Sequence, residues 1–372
     1  MKGQFKNLYD NKTVLVTGHT GFKGSWLTLS LLELGAKVVG YSLEPPTVPS
    51  LFEILGVKDK INHIIGDVRD QKHLDSVLKK YNPDFVFHLA AQSLVRLSYK
   101  EPRLTYETNL MGTINVLEAI RRVNSVRACI VVTSDKCYEN REAVYCYKET
   151  DPMGGYDPYS SSKGCAELIV NAYRCSFFNS DNYKEHKLAL SSVRSGNVIG
   201  GGDWSQDRLI PDCINFLSKD EPITIRSPEA TRPWQYVLEP LFGYLSLGQL
   251  MWQEPLAYSD SWNFGPKENS ISKVEDIVKL VIKSWGKGQY QVVKDSKLHE
   301  ARLLSLDIDK ARNILKWEPA YSLDKALEET IGWYKKYYEL GKTADINQMY
   351  EYSLNQIREY IKQKQGYKTK VS

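Results

Sequence analysis

The chain has 372 residues, 42% of them hydrophobic and 25% charged, which leaves room for two domains or for one large α/β domain with an elaboration. Its 49 Lys and Arg against 45 Asp and Glu give a formal charge of only +4, and these cations are scattered, which argues against a nucleic-acid partner. No run approaches the ~18 apolar residues of a membrane span, the opening MKGQFKNLYDNK lacks a signal-peptide core, and the six cysteines show no C-x-x-C pair, so a cytoplasmic chain with reduced thiols and no metal site is expected.

In chain order, the first apolar run is TVLVTG, Thr13 to Gly18, and the helical-period stretch GSWLTLSLLELGA follows it. The turn between them, GHTGFKG, places Gly18, Gly21 and Gly24 at G-x-x-G-x-x-G spacing. A strand-to-helix turn is the context a dinucleotide fingerprint requires. Gly18 allows the tight turn, Gly21 lets backbone approach a pyrophosphate, and Gly24 permits close packing of helix on strand. N–H groups at the helix start then face the phosphates. A glycine-rich turn without a ligand is the plainer alternative. His19 and Lys23 either add charge to the phosphate site or point to solvent.

Further apolar runs are KVVGYS (Lys37 to Ser42), FVFHLAA (Phe85 to Ala91), ACIVVTS (Ala128 to Ser134) and LALSSVRS (Leu188 to Ser195). Continuous apolar character suits strands covered on both faces. Helical-period stretches such as TYETNLMGTINVLEAIRRV lie between them. The alternation predicts an α/β fold, a Rossmann-type doubly wound parallel sheet, with a smaller, mainly C-terminal substrate-binding lobe. The end of the second run, GYSLEPP, offers Tyr41, Ser42 and a late Glu44 but no Arg, which favours NAD over NADP. Past Ser195, glycine, proline and tryptophan cluster in GNVIGGGDWSQDRLIP and SPEATRPWQYV. Beyond Ile361 the tail is polar enough to fray.

In YDPYSSSKGCAE, Tyr159 and Lys163 stand four apart and share a helical face. An ammonium beside a phenol lowers the phenol from ~10 towards neutrality. Tyr159 can then take the proton of a substrate hydroxyl as its carbon gives up hydride. The pair gains weight from VVTSDKCY, where a run ends in Thr133, Ser134, Asp135 and Lys136 and Ser134 is placed to hydrogen-bond the reacting oxygen. For Asp135-Lys136 the plainer alternative is a surface turn.

Together with GDVRD (Gly66 to Asp70), HLAAQ (His88 to Gln92) and ETNLMGT, these motifs resemble the extended short-chain dehydrogenase/reductase superfamily. The resemblance implies that Gly18, His19, Thr20, Gly21, Phe22, Lys23, Gly24, Asp67, Val68, Leu89, Ala90, Ala91, Tyr159 and Lys163 bind NAD, Asp67 through the adenine amine. N-capping of a helix beginning near Arg69 is another role open to Asp67. The resemblance also implies that Asn109 fixes a water near Lys163 and that Gln92 and Ser134 meet the substrate.

An acid followed by a base after Ser134 resembles the nucleotide-sugar 4,6-dehydratase branch, where the pair is commonly Asp then Glu. Asp135-Lys136, with TGHTGFKGSWL, SLVRLSY, MGGYDPYSSSKGCAEL, GNVIGGGDW, DRLIPD and RPWQYVLEPL, is similar to the CDP-glucose 4,6-dehydratases. The likeness spans nearly the whole chain and is weakest after about Lys267. It implies CDP-glucose as substrate, oxidation at C4, loss of the C5 proton and the C6 hydroxyl, and hydride return to C6. Asp135 would be the acid, raised by burial, and Lys136 the base, neutralised by desolvation and neighbouring charge. Asn197, Arg208, Arg232 and Arg302 would contact the nucleotide and pyrophosphate, since Arg forks match phosphate. Each Arg taken alone is more often a surface ion-pair partner.

Trp204 either lines the sugar site or packs. Residues 1–195 are assigned to the NAD-binding domain, with a return segment near 233–265, and 196–232 and 266–372 to the nucleotide-sugar lobe. The resemblance further implies a product used for deoxysugars of surface polysaccharide such as lipopolysaccharide O-antigen. It also implies a homodimer or homotetramer paired through the two helices that include the Tyr-Lys segment. A nucleotide-sugar 4-epimerase, which needs no acid-base pair, and a non-catalytic NAD-binding scaffold are the alternatives.

Overall fold

Alternating side chains along the apolar runs enter two separate cores, and that dictates a sheet with helices on both faces. Val14, Val16, Phe85 and Phe87 join Trp26, Tyr244 and Tyr360 in one core. Leu15, Val39 and Val86 join Leu74, Leu117 and Val170 in the other. In the computed structural model, which describes residues 4–141, 143, 145–267, 270–293, 304–341 and 346–371, the sheet is wholly parallel and seven-stranded. Its order is Ser261–Phe264, Ala189–Ser195, Ala128–Val132, Phe85–His88, Thr13–Thr17, Lys37–Ser42, Asn62–Ile65. The order reverses direction between Thr13–Thr17 and Phe85–His88, which opens a crevice at the carboxyl ends of the strands.

The five expected strands are present, and two of them stop two or more residues short of the end of their apolar runs. FVFHLAA leaves the sheet after His88 and ACIVVTS after Val132, so the last residues of each run lie on the rim. Two strands had no apolar signature. Asn62–Ile65 is a half-buried edge, and its NHII alternates too briefly to register. Ser261–Phe264 is four buried residues within the segment near 233–265, where the helix Leu238–Gln253 covers one face of the sheet.

Past Ser195, the strand Thr231–Tyr236 pairs parallel with Asn197–Ile199 and antiparallel with Ile271–Lys273. Trp204 meets the rings of Trp333, Tyr334 and Tyr337 edge-on, so its role here is packing. The tail departs from expectation. A single helix runs from Ile346 to Val371 because Met349, Leu354, Ile357, Tyr360 and Ile361 bury one stripe of it. Beyond Ile361, Lys364 still donates to the Glu318 carbonyl at 2.8 Å. This helix lies against Phe22–Glu33, where Arg358 pairs with Glu33 at 2.9 Å.

Candidate active site

The glycine turn forms the first wall of the crevice. Gly18 has φ +77°, and a Cβ there would sit 2.7 Å from Ala90 N; one on Gly24 would sit 2.0 Å from Gly18 O. Both must be glycine for the strand, the turn and the Leu89–Ala90 backbone to close on one another. Gly21 differs. Its Cβ would meet only Gly18 O, at 3.4 Å, so that side of the turn faces open space. No side chain caps the helix Phe22–Glu33 that starts there, and its first N–H groups are available to an anion. An open glycine face in front of an uncapped helix start is what a dinucleotide pyrophosphate needs, and the residues fit NAD.

Two side chains of the turn do something other than expected. His19 reaches neither phosphate nor solvent: it is buried, with Nε2 2.7 Å from His63 Nδ1 and its ring edge-on to Phe52. Burial and the neighbouring His63 push its pKa down to about 3, so it is neutral. Lys23 crosses the crevice to donate to Ser195 Oγ at 2.8 Å. Burial and the charges of Arg208 and Lys163 bring it down to about 7, against the pull of Asp135. Thr20 is held by Ser42 Oγ at 2.8 Å and the Leu43 carbonyl, and Phe22 lies under Gly200.

In the turn after Asn62–Ile65, Asp67 accepts from Arg69 Nη2 at 2.6 Å and from Arg69 N. It does not cap a helix; Asp70 caps Gln71–Tyr81 by accepting from His73 N. Arg69 holds the Asp67 carboxyl below its usual range. Val68 is buried beneath Gly112. Leu89 N and Ala90 N both donate to Thr17 Oγ1 at 3.2 Å, which fixes the Leu89–Ala91 backbone at the switch point. Tyr41 and Ser42 end the second strand and Glu44 is exposed.

The chemistry-bearing side chains meet at the rim of Ala128–Val132 and the start of the helix Pro158–Ser176. Asp157 caps that helix by accepting from Ser160 N at 2.9 Å, and Pro158 occupies its first turn. Tyr159 and Lys163 are both buried on its inner face. Ser134 lies close enough to Tyr159 to lower its phenol, and it donates to Asp135 Oδ1 at 3.0 Å. Asp135 is buried rather than a surface turn, and burial raises its carboxyl against Lys136, Ser134 and Lys23. Lys136 is half-buried, and its backbone N donates to Ser134 Oγ.

Tyr159 corrects the expectation that Lys163 lowers it. Burial pushes the phenol up to about 12, outweighing the lowering influence of nearby Ser134 and the charge of Arg208. Lys163 Nζ donates to the Val132 carbonyl at 3.4 Å and is brought down to about 8 by burial, with Glu167 holding it up.

Asn109 lies in a π-helical stretch, Glu107–Met111, and its amide is engaged by Gln92 backbone N (2.9 Å), Gln92 O (3.0 Å) and Ser162 Oγ (2.8 Å). These bonds tie it to the catalytic helix and the switch-point loop, not to Lys163. The Gln92 side chain accepts from Leu94 N and donates to Thr105 Oγ1, within its own loop. Beyond Asn197–Ile199, Arg208 donates to the buried Asp203 at 3.0 Å and is close enough to act on Lys23 and Tyr159. Asn197 starts its strand opposite Trp234, and Arg232 donates to the Thr231 carbonyl in the next strand. Arg302 lies outside the described residues.

Residues without a sequence-level role also converge here. Arg96, inside SLVRLSY, pairs with Asp207 at 3.5 Å, as does Arg226 at 3.4 Å. Glu167, one turn beyond Lys163, forms a buried pair with Arg194 at 2.7 Å. Its i+4 offset from Lys163 was the one available signal. Arg194 and Ser195 carried none, since both lie within an otherwise ordinary strand.

The family described as GDP-mannose 4,6 dehydratase matches residues 15–330. The chain is 50% identical over 331 residues to the CDP-glucose 4,6-dehydratase of Salmonella typhimurium, covering 89% of this chain and 92% of that one. An epimerase of Methanothermobacter thermautotrophicus, Mth375, superposes with TM-score 0.76 at 24% identity, covering 91% of this chain and 96% of the other. The dTDP-glucose 4,6-dehydratase of Bacillus anthracis, solved with NAD, does so with TM-score 0.73 at 21% identity, covering 90% and 100%. Those two likenesses establish the Rossmann-type fold.

Proposed function

The chain belongs to the GDP-mannose 4,6-dehydratase family, and from that premise we propose that it is an NAD-dependent hydro-lyase converting CDP-glucose to CDP-4-keto-6-deoxyglucose. The observation that carries the choice of substrate is the 50% identity to a CDP-glucose 4,6-dehydratase over 89% of the chain. The buried Asp135 beside Lys136 and Tyr159 is the chemistry that goes with it.

Gly18, Gly21, Gly24 and the Leu89–Ala91 backbone hold the pyrophosphate and nicotinamide, and Asp67 the adenine. NAD held there would supply the acceptor for hydride from C4 and its return to C6, and its positive ring would lower the Tyr159 phenol that burial holds up. Tyr159, supported by Ser134 and Lys163, takes the proton of the C4 hydroxyl. Ketone formation at C4 acidifies the C5 hydrogen, which Lys136 removes. Burial raises the Asp135 carboxyl, which suits it to deliver a proton to the departing C6 hydroxyl. Arg208 and Arg232, with Asn197, hold the nucleotide diphosphate.

Residues 1–195 and the segment near 233–265 serve as the cofactor domain, and the rest as the nucleotide-sugar lobe. The exposed Met111 and Leu168 support pairing of two copies through the segment Pro102–Arg121 and the helix Pro158–Ser176, in a dimer or tetramer. Among the described residues no helix is long and apolar enough to cross a membrane. The reading places the enzyme in the cytoplasm, supplying deoxysugars for surface polysaccharide such as O-antigen.

Incubation with CDP-, dTDP-, UDP- and GDP-sugars, with and without NAD, followed by mass spectrometry, tests this. The expected result is loss of one water from CDP-glucose. A product of unchanged mass makes the protein an epimerase, and NAD binding with no conversion of any sugar makes it a scaffold.

A further inference from the structure

The buried pair Glu167–Arg194 touches no substrate position, yet it is bonded to both halves of the catalytic apparatus. Glu167 lies on the same helix face as Tyr159 and Lys163, one turn further on. Its carboxylate accepts from Thr133 Oγ1, from Ser192 Oγ at 2.7 Å and from Arg194 Nη2 at 2.7 Å. Thr133 immediately precedes Ser134. Arg194 also donates through Nη1 to Tyr138 OH at 2.6 Å and to the Glu149 carbonyl at 3.2 Å, with its guanidinium over the Tyr138 ring. Tyr138 closes the turn that carries Asp135 and Lys136. Every oxygen of the carboxylate is therefore bonded, and one ion pair ties the helix of Tyr159 and Lys163 to the strand end and turn of Ser134, Asp135 and Lys136. A fully buried pair is an expensive way to gain stability; its connections point to a different use.

We infer that Glu167 and Arg194 are positioning residues for the dehydration: the pair fixes the helix of Tyr159 and Lys163 against the Ser134–Lys136 turn. The groups that face Lys163 make Glu167 the decisive neighbour. On its own helix these are Tyr159 and Glu167; from the turn after Ala128–Val132, Cys137; from the strand Phe85–His88, His88; and from the glycine-turn helix, Lys23. His88 is neutral, held down at about 3 by burial, and burial raises the Cys137 thiol, so it too is uncharged. Lys23 repels. Glu167 stays ionised, its carboxyl held below the usual range by Arg194 and the two hydroxyls against the effect of burial, and it is the main group that holds Lys163 up.

This inference rests on the dehydratase reading, and its test is a pH profile of Glu167→Gln beside the wild type. Loss of the carboxylate lowers Lys163, so the alkaline limb of kcat moves down by about one pH unit or more, with KM for CDP-glucose little changed. The same limb is read without turnover from the pH dependence of NAD binding, followed by tryptophan quenching, because Lys163 faces the cofactor. Glu167→Gln also strands the Arg194 charge, so a double variant with Arg194→Gln separates the roles. It is expected to recover the melting temperature while the limb stays displaced. If the double variant recovers both the melting temperature and the wild-type limb, or if Glu167→Gln leaves both limbs in place, the pair is structural only and the inference fails. An active epimerase or an inactive wild type would overturn the dehydratase reading instead, and the binding limb would still decide the role of Glu167.

Discussion

Lys23 Nζ donates to Ser195 Oγ at 2.8 Å, spanning the crevice from the cofactor turn to the last residue of the strand that precedes the substrate lobe. Ser195 in turn shares a hydrogen bond with Tyr244 OH at 2.9 Å. A lysine held at about 7 inside the fold and at its ordinary ~10.4 when unfolded is a cost to folding at low pH. Unfolding takes up a proton only between the folded and unfolded values, so the cost is full below pH 7 and fades as pH rises towards 10. Lys23→Met should therefore melt at a higher temperature than wild type at pH 6–7, with the gap closing at alkaline pH. A gap that is constant with pH would mean that Lys23 is not depressed by its surroundings.

The two inner glycines of the turn should respond differently to alanine. At Gly24 a methyl would lie 2.0 Å from the Gly18 carbonyl, so Gly24→Ala must displace the helix from the strand and lower the melting temperature. At Gly21 a methyl meets nothing closer than 3.4 Å and projects into the space assigned to pyrophosphate. Gly21→Ala should keep the melting temperature and lose NAD affinity by about tenfold or more, since a 1.4 kcal/mol loss is already tenfold. Calorimetric titration with NAD and a thermal melt on each variant read the two effects separately. Loss of stability at Gly21 with retained affinity would remove the pyrophosphate from this turn.

How much of this was legible beforehand follows from how local each signal is. The glycine spacing, the Tyr159–Lys163 offset and the Ser134–Lys136 run are contiguous in sequence, and the structure brings them to one rim. The chain's own electrostatics were not legible: an i,i+4 lysine suggested a lowered phenol, but burial is a tertiary property and pushes Tyr159 up to about 12. The same holds for His19, whose burial beneath Gly40 depends on the pairing of a second strand. Gln92 and Asn109 bond to each other's surroundings in a loop whose path no periodicity reveals. Glu167 was visible as a helix-face neighbour, but Arg194, its partner across the sheet, was one buried residue in a strand.

Asp135 and Lys136 should fail at different steps. With Asp135→Asn the C6 hydroxyl has no proton donor, and water loss should fall by roughly 10²–10⁴. Lys136 can still remove the C5 proton, so exchange of that position with deuterated solvent should outlast water loss. Lys136→Met should abolish both. Proton NMR of the sugar, alongside mass detection of product, distinguishes them. Unaltered C5 exchange in Lys136→Met would move the base to another residue.

Glu239 anchors the far side of the fold and offers a stability test independent of the active site. Its buried carboxyl accepts from Ala320 N at 2.9 Å, from Tyr321 N at 2.7 Å and from Tyr360 OH at 2.5 Å. It thereby joins the helix Leu238–Gln253 to the C-terminal helix. Glu239→Ala leaves three buried donors without an acceptor, and each such group costs roughly 1–3 kcal/mol. The expected loss, after relaxation, is roughly 2–5 kcal/mol, with Ile346–Val371 becoming the first segment cut in limited proteolysis. Glu239→Gln keeps an acceptor for the backbone groups and should lose far less. Burial raises the Glu239 carboxyl above its unfolded value, so its ionisation costs stability as pH rises past that value. The glutamine variant removes that dependence, so the difference between it and wild type should shift in its favour between pH 4 and pH 8. A wild type and glutamine variant that diverge in the opposite sense would show that the carboxylate form is the one this site stabilises.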